Sequence, residues 1–359
     1  AVWEGTPVER PLLLVICGSA VRTLEGLARA GPLYGRFSYV AELEPFDYVD
    51  AARMAPFSDP RDRIRAYGIF GGIPHYLSTV DTRRSLAENA ARECLAPRGE
   101  VRGNLETALI QEQGLDKVAQ YQGIMDAVGA GRTSVNEIAM AADLKKDRAL
   151  RRKLARLVDL GFIRKHRRFD AGKTDRYLYE LEDPAFRFYY GFTKPNESSL
   201  EIGNPRTVWD RYVEPRLGTY MGHLFERVAL QGYIRQSERL DLPPLSEWSF
   251  WEGVDPDGES VEIDIVARLL DGRMMTGAVK WNRTPLDVRV HRNHLAAIRR
   301  LEGSGRKWVH EALETSSPLL YVAAGGFSES FAREARPSRD EVYLLTLEDF
   351  FAGWQNPDH

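Results

Sequence analysis

Cysteine is almost missing from this chain. The two present, Cys17 and Cys94, are too few for a disulfide framework. They fall in segments that read as a core strand and a helix, so they are expected to be isolated buried thiols in a reducing cytoplasm. Long apolar runs are missing too. The stretch Leu12 to Cys17 is six residues, enough for a buried strand and too short for a bilayer span, so no membrane partner is expected. No basic segment precedes it, which argues against a signal peptide. Acidic residues are absent between Arg148 and Arg156, and Asn and Gln are few there. That stretch is short of the side chains that read bases.

What is present is a soluble globular composition, 43% hydrophobic and 28% charged, in a chain of 359 residues that needs two or three cores. The net charge of −3 conceals one strongly basic block. Between Lys145 and Arg176, thirteen Lys or Arg stand against four Asp, a net of +9, so the remainder carries −12. Such a block is a localised site for an anionic partner.

Residues 11–19 read as a buried strand, 21–30 as a helix, 31–36 as a turn and 39–43 as a second strand. After a loop at 56–60 the pattern is helical to about 113, broken at Gly71-Gly72-Ile73-Pro74. Residues 116–183 form a unit of three helices and a hairpin, the winged-helix order. Its third helix, 147–160, puts Leu150, Leu154, Leu157 and Val158 on one face and Arg148, Arg151, Arg152, Lys153 and Arg156 around the rest. Two strands, 162–169 and 177–181, flank Asp170-Ala171-Gly172-Lys173 and carry Arg164, Lys165, Arg167 and Arg168. These nine cations are the candidate DNA contacts. Their density favours phosphate attraction, so double-stranded DNA bound with little sequence specificity is expected.

Residues 186–191 and 195–205 read as a connector. Beyond them a helix at 209–236 and strands at 261–267, 274–280, 319–324 and 342–346, with a helix at 291–301, predict an α/β domain. Glu262 and Asp264 share one face of their strand. An Asp followed after about a dozen residues by Glu-x-Lys on the next strand is how a metal-dependent nuclease gathers Mg²⁺ or Mn²⁺ and positions the attacking water. Here Asp264 is followed by Ala278-Val279-Lys280, with Ala278 at the place of the Glu. Glu226, in the preceding helix, is a candidate to complete the metal shell, and Glu262 a candidate stand-in for the missing carboxylate. Losing one oxygen ligand should impair metal binding and cleavage. Three other features are discounted. Gly172-Lys173-Thr174 lacks the Gly that a phosphate loop needs at position 167, Ser19 lacks a nucleophile elbow, and His291 and His294 read as exposed helix histidines.

Leu13-Leu14-Val15-Ile16-Cys17-Gly18-Ser19, Leu33-Tyr34-Gly35-Arg36 and Gly71-Gly72-Ile73-Pro74 with Tyr76-Leu77 resemble the archaeal and bacterial ATPases of the AAA+/STAND lineage. Val261 to Ala267, with Gly277, Val279, Lys280 and Trp281, resembles the restriction-endonuclease-like, PD-(D/E)xK, domain fused to such ATPases. The resemblance implies a multidomain α/β chain: the end of an ATPase core at 1–50, a helical lid at 51–114, a winged helix at 115–192 and a nuclease-like domain at 200–359. It makes Ser19 the sensor residue near the γ-phosphate, Arg36 a phosphate-sensing cation and Pro74 a neighbour of adenine. No Walker A or B sequence is in the chain, so ATP is expected to bind only with a further N-terminal part. The whole reads as an ATPase-coupled, DNA-binding, nuclease-like protein of genome defence or mobile elements, with room for a homo-oligomer. Its rivals are a nucleotide-regulated switch and a DNA-binding regulator that use the last domain as a platform.

Overall fold

The computed structural model describes residues 43–112, 115–172 and 177–353, together with 15, 38, 39 and 41. The readings for 1–36 therefore lie outside the described residues, Cys17, Ser19 and Arg36 among them, as do Lys173 and Arg176; the exception is Val15, which is exposed and not in a strand. The proposed strand at 39–43 lies partly outside as well, and its described positions 39, 41 and 43 are not in a strand. Of the described residues, 45–111, 116–172 and 177–353 pack as one unit.

That unit begins with α1 (Tyr48–Met54), which Asp47 caps by accepting from the Val49 and Asp50 amides at 3.0 and 3.1 Å. Helix α2 (Pro60–Phe70) has Asp59 as its cap and Pro60 in its first turn. It stops at Gly71, whose φ of 71° is in the left-handed region. A Cβ at Gly71 would lie 2.3 Å from Asp183 Oδ1, and one at Gly72 would lie 2.1 Å from the Phe46 carbonyl. The Gly-Gly pair is therefore required by close approach from two sides. After α3 (Glu100–Gln111) the expected three helices follow as α4 (Val118–Gly129), α5 (Val135–Ala141) and α6 (Arg148–Asp159). Ser134 and Glu137 form a reciprocal cap on α5, and Asp147 caps α6. The hairpin pairs β1 (Ile163–His166) antiparallel with β2 (Leu178–Leu181), Ile163 opposite Leu181.

The segment expected to be a connector is not irregular. Residues 184–202 are nearly continuous short helical turns, and Phe188, Tyr189 and Phe192 are buried in them. Burial of that aromatic run, against the ring of Tyr220 among others, overrides the polar composition from 194 onward. Helix α7 (Glu214–Gln236) then leads into a five-stranded sheet. Its strands are β3 (Leu245–Val254), β4 (Ser260–Leu269), β5 (Met274–Lys280), β6 (Leu319–Ala323) and β7 (Val342–Thr346), in that spatial order. The first three run antiparallel, whereas β5, β6 and β7 are parallel, so helices must cross over between them. These are α8 (Arg289–Arg300) and α9 (Lys307–Leu313), then α10 (Glu329–Ala335).

The described fold is mixed α/β, as expected. One core cluster joins Trp251, Ile263 and Val266 of the sheet to Ile298 and Trp308 of the helices; another joins Ala278, Leu319 and Tyr321 to Phe331. The hairpin is docked on this sheet. Phe169, just past β1, is buried in the first cluster. Its amide donates to the Phe250 carbonyl at 2.7 Å, and the Ser249 hydroxyl donates to the Arg167 carbonyl at 2.7 Å. The exposed edge of β3 is thereby partly paired.

Candidate functional site

Helix α6 sorts its cations by position. Leu150, Leu154 and Leu157 are buried at spacings of four and three, which turns Arg148, Arg151 and Arg152 outward, where all three are exposed. Arg156 is half-buried. Lys153 folds back: its ammonium sits 4.4 Å from the Tyr121 ring centroid and 3.9 Å from Asp116, with 13% of the side chain exposed.

The hairpin cations are engaged by the protein itself. Arg164 pairs with Glu180 at 2.8 Å. Burial opposes ionisation of Glu180, but Arg164, His166 and Arg187 together hold its carboxyl down to about 2. Lys165 and Arg167 both lie on the ring of Tyr177, at 5.0 and 4.1 Å. Arg168 donates to the Glu252 carbonyl at 2.9 Å. The outward arginines of α6 are therefore more accessible than the hairpin's cations.

The second constellation assembles across β4 and β5. Ile265 faces Gly277, so Asp264 lies level with Ala278, and Lys280, two residues on, has its side chain on the same face. Lys280 Nζ is 2.6 Å from Asp264 Oδ2, and the Val279 amide donates to the same oxygen at 2.9 Å. Asp264 is well shielded, with 11% of its side chain exposed. Glu226 comes from α7. Burial, then the charges of Asp264 and Glu262, push its carboxyl up to about 7 against the pull of Lys280. All three carboxylates line a cleft of about 920 Å³ whose other wall is the docked hairpin. A smaller cavity of about 300 Å³ is lined by Asp264, Ala278 and Lys280 with Asn293 of α8.

A divalent cation does not fit these residues. One Asp264 oxygen is taken by two donors, position 278 offers no oxygen, and among the described residues no three His, Cys, Asp or Glu side chains converge on a metal position. Pro74 opens the short helix Pro74–Leu77 and is exposed.

The histidines require a correction. His291 and His294 are buried, at 2% and 7% exposure. With Ile298 they form the face of α8 that packs on the sheet. His291 Nδ1 lies 2.7 Å from the Tyr321 hydroxyl, and His294 Nε2 lies 3.1 Å from Thr276 Oγ1. Burial pushes His294 down to about 3, so it is a neutral hydrogen-bonding residue.

Two features were not read from the sequence. Strand β3 supplies Trp248 and Phe250 to the cleft, and the cluster Trp248-Ser249-Phe250-Trp251 was the available signal. Arg61 of α2 stacks on Trp281 at 4.7 Å, and Trp281 meets Phe225 edge-on at 5.0 Å. Trp281 follows Lys280 and Phe225 precedes Glu226, so one aromatic contact fixes both ends of the site.

A family model described as archaeal and bacterial proteins of unknown function matches residues 189–294. To that stretch the chain is similar, and it contains Glu226, Glu262, Asp264, Ala278 and Lys280. No curated protein and no solved structure matches the chain.

Glu226 gives a pH prediction. Its folded-state value lies above the ordinary carboxylate value of 4.5, so the folded chain holds a proton that the unfolded chain releases first. Stability is therefore expected to fall as pH rises from about 4.5 to about 7, with no further loss from this group above that. Thermal melts of Glu226→Gln against wild type should diverge across this window, the variant being the more stable at pH 8. Parallel curves would mean that the Glu226 carboxyl is not buried against these charges.

Proposed function

We propose that this chain is a DNA-binding protein whose C-terminal α/β domain is restriction-endonuclease-like, of the PD-(D/E)xK kind, with its cation site disabled by Ala278. It would belong to an ATPase of the AAA+/STAND lineage, with a place in genome defence or among mobile elements resting on that resemblance alone. The observation that carries the reading is the Lys280–Asp264 contact at 2.6 Å on neighbouring strands, with Glu226 alongside. Structural ion pairs are common, but a shielded Asp that shares one cleft with a proton-holding Glu and is paired with a Lys brings together the groups that phosphodiester chemistry gathers. Duplex binding is assigned to α6, where three exposed arginines sit on one face. The engagement of Asp264 by Lys280 also favours a second reading, in which the domain holds DNA without cutting it.

The test is a salt titration of duplex binding. The slope of log affinity against log salt should be about −3 or steeper, as expected for three or four phosphate contacts. The joint substitution of Arg148, Arg151, Arg152 and Arg156 by Ala should abolish binding at physiological salt, with little change between unrelated sequences. Unchanged affinity in that variant would remove α6 from the interface, and a strongly preferred operator would favour a sequence-specific regulator.

A further inference from the structure

The cleft beneath the hairpin combines two chemistries, aromatic faces and cations. From the sheet side come the faces of Trp248 and Phe250, both half-buried, with Arg268 and Lys307 beside them. From the hairpin side comes Arg167, its guanidinium stacked on Tyr177. Three buried N–H groups along these walls, Arg164 Nε, Arg167 Nε and Trp308 Nε1, have no acceptor among the described residues. Native interiors leave few such donors, so a site with several calls for an acceptor-rich visitor or water. At the inner end stand Glu226, Glu262 and Asp264.

We propose that this cleft holds a single strand of DNA, with bases stacked on Phe250 and Trp248 and phosphates running past Arg167 and Lys307 toward the Asp264–Lys280 pair. The inference rests on the nuclease-like reading and names its substrate class. Aromatic faces interleaved with arginines suit unpaired bases, whose π-faces a duplex hides. A volume of about 920 Å³ is that of a generous small-ligand pocket, so it takes a few nucleotides in single file and excludes a duplex. The rim acids Glu247 and Glu252 keep the cleft from being strongly positive. Strand binding should therefore depend on stacking and fall less steeply with salt than duplex binding on α6.

The experiment is fluorescence anisotropy of the whole chain with a labelled mixed-sequence oligonucleotide of about 12 nucleotides and with the blunt duplex of the same sequence. Phe250→Ala and Lys307→Glu should each weaken the single strand about tenfold and leave the duplex within about twofold. Arg148→Ala, Arg151→Ala and Arg152→Ala together should do the reverse. Because Phe250 packs against His166 at 5.5 Å, the Lys307 variant, with 91% of its side chain exposed, separates a binding effect from a folding one. Single-strand affinity that is undetectable in wild type, or equal in wild type and both cleft variants, overturns the cleft as a strand site. Loss of duplex binding in the α6 variant alone would then still support the reading of α6. Duplex binding that survives the α6 changes, while strand binding follows the cleft residues, sinks the α6 reading and supports the cleft.

Discussion

Replacing Ala278 by Glu is expected to give this chain a divalent-cation site, and with it cleavage of single-stranded DNA in Mg²⁺ or Mn²⁺. The geometry for the missing ligand is in place. The Asp264 strand and the Ala278 strand are antiparallel neighbours, and the positions are level. The cavity of about 300 Å³ lined by Asp264, Ala278 and Lys280 leaves room for the longer side chain. The charge is provided for as well, since Lys280 lies within reach of any carboxylate placed beside Asp264. A new carboxylate competes with Asp264 for Lys280 and leaves Asp264 Oδ2 with the Val279 amide as its one donor, so two carboxylates can face a cation where the present chain has one engaged by a lysine. Calorimetry with Mn²⁺ should show no specific heat for wild type and a saturable site for Ala278→Glu. Cleavage of a circular single strand should follow the same pattern. In that background Asp264→Ala or Lys280→Ala should each cut the rate by about a hundredfold or more, the scale on which a few kcal/mol at the transition state registers. If Ala278→Glu folds, keeps DNA binding and takes up no Mn²⁺, the domain is a binding platform. Residual cleavage by the unaltered chain would instead point to Glu262 as the substitute ligand.

The parts of this arrangement that the sequence made legible are those with regular periods. Strands β5 and β7 fall at the expected residues, and β4 and β6 fall within two residues of theirs, because short apolar runs mark them directly. Helix α6 is equally plain, with Leu150, Leu154 and Leu157 recurring at the helical period and Asp147 as cap. Strand β3 was not legible. Its pairing with β4 shifts register between Leu245 and Glu247 and again between Ser249 and Trp251, so its side chains do not alternate with period two. The cleft's aromatic wall was lost with it. The docking of the hairpin was hidden for another reason. Phe169 looks like any hairpin residue, and only the fold brings it against Trp308 at 5.9 Å. The wing arginines were legible as charge and not as partners, since Glu180 and the Phe250–Glu252 backbone are remote from them or on another element.

The second large effect concerns the backbone that carries the site. Gly277→Ala is expected to destabilise the chain more than any other single methyl group added to β5. Gly277 lies between Ile265 of β4 and Leu320 of β6, in the middle of the sheet. A Cβ there would sit 1.7 Å from the Leu320 carbonyl oxygen. That oxygen is backbone and cannot rotate away, so β5 and β6 would have to separate where their parallel pairing begins. The cost should be about 3 kcal/mol or more, seen as a fall in melting temperature of roughly 5–10 °C or as insoluble protein. Gly103→Ala is the contrasting case. It lies inside α3, a Cβ there meets nothing within 4 Å, and removing a helical glycine should stabilise the chain by about 0.5–1 kcal/mol. Ala278 and Lys280 flank Gly277 by one and three residues, so the loss should reach the site before it reaches the whole fold. In the Ala278→Glu background, Gly277→Ala should weaken Mn²⁺ binding at temperatures where circular dichroism still reports folded protein. If both glycine variants melt with wild type, the strands have more space than the backbone geometry allows, and the level placement of Asp264 and residue 278 would fall with it.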